Sequence, residues 1–530
     1  LSLHSSLAIS INNNPKVDAS ISTMKCVSRP IVLWIVVLAI CLAIRISLGG
    51  LGESICAILL IAATSIRFLF GRKANETNFG AKAALSAATL APDGVDDAPK
   101  AGILCLQFNA KAKKRNDGWS TIPDVERSVV EDNSAPTKKR TSAAAAVTRS
   151  AYLDNVKVFL TGLVVTHHVN CAFGGCGTNL DSWYLIVGFG RNDPFARFLQ
   201  TFSMLDQSFF MPLFFFISAY FVPSSYAKKG WYEFRQGRKK RILLPALFTL
   251  LFTTPACIAW GGYVAGVEEL AYVPVPGVAW FLFWLLLFNW MYVTITPGVE
   301  ELERNKLPGT IPRLLCGILI CGFALFPFIL MTPRSLAFMP VSVGSVTCDF
   351  LMFYLGVQVK KNGWLESDLS NQMDIHPVLL LFFVITESAG MAFLLPMMEE
   401  NIYVVLGLVL LSGVFCLDMS LLVLVTFQKY LNVETSMTKF FARAAYGVYL
   451  FHPLVVTGMT ALYISICNQL GLAGIDPVTH GSEIDEGAPV RTESDAKYIV
   501  GWVLVNLASH NLVWPLAYGL TRLPVLKSIL

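Results

Sequence analysis

The sequence predicts an all-α membrane protein, a polytopic helical bundle with about ten core transmembrane helices and one or two more near its N-terminus. Three observations carry this. The 530-residue chain is 54% hydrophobic and only 15% charged, where a soluble domain carries about 25% charged residues. Its mean hydropathy is +0.57. The apolar residues gather into runs of bilayer length. The expected setting is therefore an integral, multi-pass position in a lipid bilayer. Nucleic acid is not an expected partner, because the basic residues do not sit on an aromatic-bearing soluble domain.

The chain divides into three parts. Residues 1–70 form an N-terminal segment with apolar runs at Ile31 to Ile46 and Ile55 to Phe70. The chain opens on Leu1, and Met24, followed by Lys25 and Arg29, reads as a natural start. A hairpin of two membrane helices is the first reading; a cleaved signal followed by one anchor is the alternative. Residues 71–149 are rich in Ala, Lys, Asp, Ser and Thr and lack sustained periodicity, which predicts a basic, disordered linker. With Ser150 included this stretch holds 13 basic and 9 acidic residues, a net charge of +4. From 150 to about 525 come ten apolar segments, near 155–173, 199–222, 242–260, 277–295, 311–331, 344–359, 376–396, 403–426, 440–465 and 498–520. Pro and Gly within several of them are tolerated in membrane helices. No internal repeat is evident, which weighs against a transporter built from inverted halves.

Orientation follows from the loops. The stretch 227–241, AKKGWYEFRQGRKKR, has seven basic residues against Glu233, so the positive-inside rule places it in the cytosol. Lys360, Lys361, Lys429, Lys439, Arg443, Arg522 and Lys527 fall on the same side by this count. Acidic residues at 268–269, 399–400 and 483–486 fall on the other.

The most informative stretch is SAYLDNVKVFLTGLVVTHHV, 150–169. Lys157 and His168 are eleven positions apart. At about 100° per residue they share one face of a helix, about 16 Å apart along its axis, and Asp154 lies about 40° from His168. His167 is turned about 100° away. Ionisable groups within a membrane helix are costly and mark a functional interior. A snorkelling Lys at one interface and a His pair at the other is the competing reading. A neutral imidazole at His168 can take a proton from a hydroxyl. Asp206, at similar depth in the next helix, is its candidate partner. Arg238 and Arg241, three apart at the start of the following helix, suit phosphate groups by bidentate hydrogen bonds; a purely topological role is the alternative.

His452, in AAYGVYLFHPLV (444–455), reads on its own as a packed structural histidine. Asp349, Glu387 and Asp418 fall in apolar segments and need partners. The twelve cysteines are scattered, with no CxxC pair and no metal-ligand spacing, so no metal is expected. Cys171 and Cys176 flank a short turn and can form a disulfide if it is lumenal. There is no P-loop, GxSxG or HExxH motif. A His-x4-Asp pattern is also missing: Ala172 and Phe173 stand where the Asp would be.

Three segments in order, YLDNVKVFLTGLVVTHHV, FFFISAYFVPSSYAKKG…RKKRILLP and AAYGVYLFHPLV, resemble the acyltransferase 3 family of integral membrane O-acyltransferases. Lys157 and His168 have the family's spacing of a basic residue and its key His, although Arg is usual at the first position. Ala219 stands where a Gly after Ser218 is usual. The resemblance covers about 150–525. It implies ten helices and transfer of an acyl group, acetyl or succinyl for example, from a cytosolic acyl-CoA-type donor to a hydroxyl of a carbohydrate or lipid. The donor is a co-substrate; no tightly bound cofactor is expected. His168 would be the general base, with Lys157, Asp154 and Asp206 completing the catalytic set. Arg238 and Arg241 would hold the donor. A multi-pass exporter of acylated or sugar compounds would explain the helices and buried charges, but not the three ordered motifs.

Overall fold

The structure is a computed structural model. It describes residues 151–176, 183–187, 194–296, 307–309, 312–313, 316–317, 335–336, 339–340, 345–397, 401–472, 477–479 and 496–524. The expectations for 1–70 and 71–149, and nearly all of the apolar segment 311–331, lie outside these residues.

Nine of the ten expected core segments are long helices: α1 Ala151–Ala172, α2 Pro194–Tyr220, α3 Val222–Val264, α4 Gly277–Ile295, α5 Ser345–Asn362, α6 Pro377–Met397, α7 Ile402–Tyr430, α8 Ser436–Gln469 and α9 Ala496–Leu520. All but α1 and α5 are long and apolar enough to cross a bilayer. α1 falls short because it carries Asp154, Asn155, Lys157 and two histidines. Among the described residues, strand structure is confined to two-residue pairs, including β1 Leu185–Ile186 against β2 Val478–Thr479. The protein is an all-α, multi-pass membrane bundle.

Helix ends follow their sequence signals. Asn401 caps α7 by accepting from Tyr403 N–H at 2.8 Å. Thr435 caps α8 in a reciprocal pair with Thr438. α1 borrows its cap from afar: Tyr152 N–H donates to Asn432 Oδ1 at 3.1 Å. The Asn155 amide donates to the carbonyls of Leu431 at 2.7 Å and Val433 at 3.1 Å. The α7–α8 turn thereby clamps the start of α1.

The largest departure from the sequence reading is 227–241. It is not a loop but part of α3, which runs helically from 222 through short π-type turns at 239–243 and 249–253 to 264. Its one break is Gly230, with φ +70°. That value lies in the left-handed region, which Gly enters without steric cost. Lys, Arg, Gln and Glu are good helix formers, so the charged stretch extends the helix beyond the apolar span that hydropathy detects.

Lys157 and Lys360 lie at one end of the bundle. Lys157 lies over the Phe221 ring at 4.6 Å and Lys360 over the Tyr220 ring at 5.1 Å. Two buried apolar clusters fill the interior. One spans α1, α2, α4, α5 and α7. The other joins the last turns of α1 to β1, α8 and α9. The histidine end of α1 sits where they meet.

Candidate active site

α1 ends in two adjacent histidines, and its rotation aims them at different neighbours. His167 faces α2, where its Nδ1 lies 2.9 Å from Asp206 Oδ1. Both are largely buried, with side chains 12% and 4% exposed. The second carboxylate oxygen, Oδ2, has no hydrogen-bond partner among the described residues. The Asp206 expected at His168 therefore belongs to its neighbour. The depths match as expected, but the face of α1 that meets α2 is the one carrying His167.

His168 faces α8 instead. Its Nδ1 lies 2.8 Å from the Val164 carbonyl, one turn back, and 3.1 Å from Nε2 of His452. A carbonyl oxygen only accepts, so His168 Nδ1 carries the hydrogen and Nε2 keeps its lone pair. The imidazole is covered by Trp183, with ring centroids 4.4 Å apart. Trp183 and Tyr184 lead into β1, which β2 pins in place, and the Thr479 hydroxyl donates to the Tyr184 carbonyl at 2.8 Å. Gly261 of α3 permits this segment to sit so deep: a Cβ there would lie 2.1 Å from the Tyr184 carbonyl oxygen.

Beyond the histidines, Cys171 and Cys176 are joined in a disulfide across the turn that ends α1. Disulfides persist in oxidising compartments, in keeping with an outer or lumenal position for this end. His167 Nε2 lies 4.0 Å from Cys176 Sγ. His167, Cys171 and Cys176 form a potential metal-ligand set, but sulfurs joined to each other offer no thiolate.

Lys157 and Asp154 stay at the opposite end of α1, paired at 3.1 Å with side chains 34% and 19% exposed. They share a helix with His168 but are not brought to it. Arg238 and Arg241 lie on α3 at the same basic end. The Arg238 guanidinium covers the Phe234 ring at 4.6 Å, half-buried, and Arg241 is exposed. Tyr446 of α8 donates its hydroxyl to the Arg241 carbonyl, and Tyr449 donates to the Val278 carbonyl at the start of α4. The buried acids of the sequence reading lie on α5, α6 and α7. Arg313 Nε pairs with Asp418 Oδ1 at 3.1 Å, and Asp349 is fully buried.

Sequence reasoning missed His452 and Trp183 as members of the site. Trp183 had no signal. His452 had one, its place in the YLFHP segment that carried the family resemblance.

A multi-pass bundle with an oriented, half-buried imidazole at the meeting of its two cores is built for proton transfer. A family model fixes which kind. The acyltransferase 3 model, described as an acyltransferase domain, matches residues 150–480, more than half of the chain, and the protein belongs to that family. It is a membrane acyltransferase that transfers groups other than aminoacyl groups. The match stops short of α9. No curated protein and no solved structure matches the chain.

Proposed function

We propose that the protein moves a short acyl group, such as acetyl or succinyl, from a cytosolic acyl-CoA-type thioester to a hydroxyl of a carbohydrate or lipid. One observation carries the reading: His168 presents an unprotonated Nε2 while its Nδ1–H is held by the Val164 carbonyl. In the transfer, Nε2 takes the proton of the acceptor hydroxyl as its oxygen attacks the thioester carbonyl. The new C–O bond forms, the C–S bond breaks, and the proton passes to the departing thiolate. Nothing is oxidised or reduced.

The donor would enter from the basic end. Arg238 and Arg241 suit its phosphates by bidentate contacts, and Lys157 adds positive charge at the same end. The polar column on α8 supports this route. Tyr446 touches the backbone of Arg241 and His452 touches His168, six residues and about 9 Å apart on one helix. Asp206 acts at one remove, by holding His167 beside the base. A transporter would need no such oriented imidazole.

The test is transfer of radiolabelled acyl groups from acetyl-CoA and succinyl-CoA to glycans and lipids in membranes containing the wild-type protein or His168→Ala. Label should appear in an ester fraction only with wild type. Equal labelling with both would remove His168 from the chemistry.

A further inference from the structure

His452 is buried without exposed surface, and its hydrogen bonds determine which nitrogen carries the proton. Nδ1 lies 2.8 Å from the Tyr449 carbonyl and 3.2 Å from the Val448 carbonyl. Both are acceptors only, so Nδ1 bears the hydrogen and Nε2 is left with a lone pair. That lone pair lies 3.1 Å from His168 Nδ1, which the Val164 carbonyl independently marks as a donor. Two sets of backbone carbonyls, on two helices, thus make one imidazole a donor and the other an acceptor. The rings lie 4.8 Å apart between centroids, and Trp183 flanks both.

We propose that His452 is the positioning residue of the base, a neutral imidazole in the place where acid–base enzymes commonly use a carboxylate. The inference rests on His168 being that base. Its chemistry is simple. When His168 Nε2 accepts the hydroxyl proton, the ring becomes a cation whose Nδ1–H is shared between the Val164 carbonyl, at 2.8 Å, and the His452 lone pair, at 3.1 Å. The positive charge strengthens that hydrogen bond at the moment it develops. The Val164 carbonyl, on the helix of His168 itself, holds the tautomer; His452 fixes the ring's rotation against a second helix. No proton leaves His168 through His452, because His452 Nδ1 stays bound to its carbonyls.

A neutral partner has a structural reason here. Asp206, the carboxylate on the adjacent helix α2, is committed to His167 at 2.9 Å. A second buried carboxylate at position 452 would add an uncompensated anion to a low-dielectric site, which is costly. Imidazole accepts equally well without that charge. The same face of α8 carries Tyr446 and Tyr449 at three-residue intervals, donating to the Arg241 and Val278 carbonyls. His452 is therefore set by a helix that is itself latched to the arginine-bearing segment of α3.

The experiment has two arms on the full-length protein in lipid nanodiscs. In the first, 15N-histidine labelling reads the pair directly. A through-hydrogen-bond 15N–15N coupling should join His168 Nδ1 to His452 Nε2, and its absence overturns the proposal whatever the activity. The second arm measures transfer from acetyl-CoA to acceptors in added native membrane extract, for wild type, His168→Ala, His452→Leu and His452→Gln. Loss of a hydrogen bond to a charged ring should lower kcat in His452→Leu by about ten- to a hundredfold, with KM for acetyl-CoA little changed. Gln places an amide oxygen near the site of Nε2 and should restore most of kcat; a merely space-filling role would make Leu the better substitute. If His168→Ala is inactive and His452→Leu matches wild type, the base assignment stands and this proposal falls. If His168→Ala is active, the base assignment falls, and with it the role of His452 in the transfer.

Discussion

At the basic end of α1, Lys157 pairs with Asp154 on its own helix, and both remain partly open to solvent. At the other end, His167 and His168 each engage a different helix, His167 through Asp206 of α2 and His168 through His452 of α8. The two ends are about 16 Å apart on one rod, yet their energetics differ in kind. An exposed ion pair is worth about 0–1 kcal/mol. Breaking a buried hydrogen bond by removing one partner costs about 1–3 kcal/mol, because the other is left unsatisfied. One end of the helix can be altered cheaply; at the other, each change leaves a partner on a neighbouring helix without its hydrogen bond.

The sharpest way to break this comparison is to show that the two ends do not face opposite sides of a membrane. A single cysteine introduced by Lys240→Cys, in a background lacking reactive thiols, should be protected from an impermeant thiol reagent applied from the outer or lumenal side. One introduced by Ser482→Cys should be labelled. The effect is all or none, and the reverse pattern would turn the bundle over and remove the proposed entry of the donor.

Next in size is the base itself. His168→Ala should reduce acyl transfer by about a hundredfold or more, the usual contribution of a general base, with protein level and membrane insertion unchanged. Its neighbour should respond differently. From the helical wheel alone, His167→Ala is expected to be the mild control, because its side chain points about 100° away from that of His168. The structure alters that expectation. Either His167→Ala or Asp206→Ala leaves a buried polar group without its hydrogen bond, so each should lower stability by about 1–3 kcal/mol, read as early loss of solubility in a detergent melting series. Replacing both together should cost less than the sum of the two. Additive losses would show that the pair is not coupled.

How much of this could be read beforehand differs between the two ends for a physical reason. Hydropathy and the helical repeat are properties of a single segment, so they located nine of the described helices and placed Lys157 and His168 on one face. The partner of each histidine depends on how α1 is rotated against α2 and α8, which no single segment encodes. Matching depth brought Asp206 to the right level and the wrong residue. His452, one histidine beside a Pro in an apolar run, looked like any packed membrane histidine until its register against α1 was known. The helical extension of α3 through 227–241 escaped for the opposite reason: the residues favour helix, but a search for apolar runs ends where charge begins.

A smaller effect is expected from the turn beyond the histidines. Cys171→Ser opens the disulfide with Cys176. In the chain-entropy account a loop this short contributes about 2 kcal/mol, so the melting temperature should fall while transfer at low temperature remains. Loss of transfer with no change in melting would mean that the turn shapes the site rather than only closing α1.

The smallest effect belongs to the basic end, and it decides whether that end takes part in the reaction at all. Lys157 is engaged twice already, by Asp154 at 3.1 Å and by the face of Phe221 at 4.6 Å. Its side chain is one-third exposed, so removing its charge should cost no more than about 1 kcal/mol of stability. Lys157→Met keeps much of the bulk and loses the charge; Lys157→Arg keeps the charge and adds a planar fork that can hold a phosphate by two hydrogen bonds. If Lys157 attracts or holds the donor, Arg should match or exceed wild type at low acyl-CoA. Met should lose about tenfold, the low end for a charge-assisted hydrogen bond of 1.5–3 kcal/mol, because solvent screens part of the interaction. The loss should appear as a raised KM for acyl-CoA with kcat unchanged, since a contact equally strong in ground and transition states affects binding alone. A fall in kcat instead would carry Lys157 into the chemical step despite its distance from His168. No change in either constant would reduce it to an interfacial anchor whose stem lies along the membrane surface, and the two ends of α1 would then divide cleanly into one that orients the helix and one that performs the reaction.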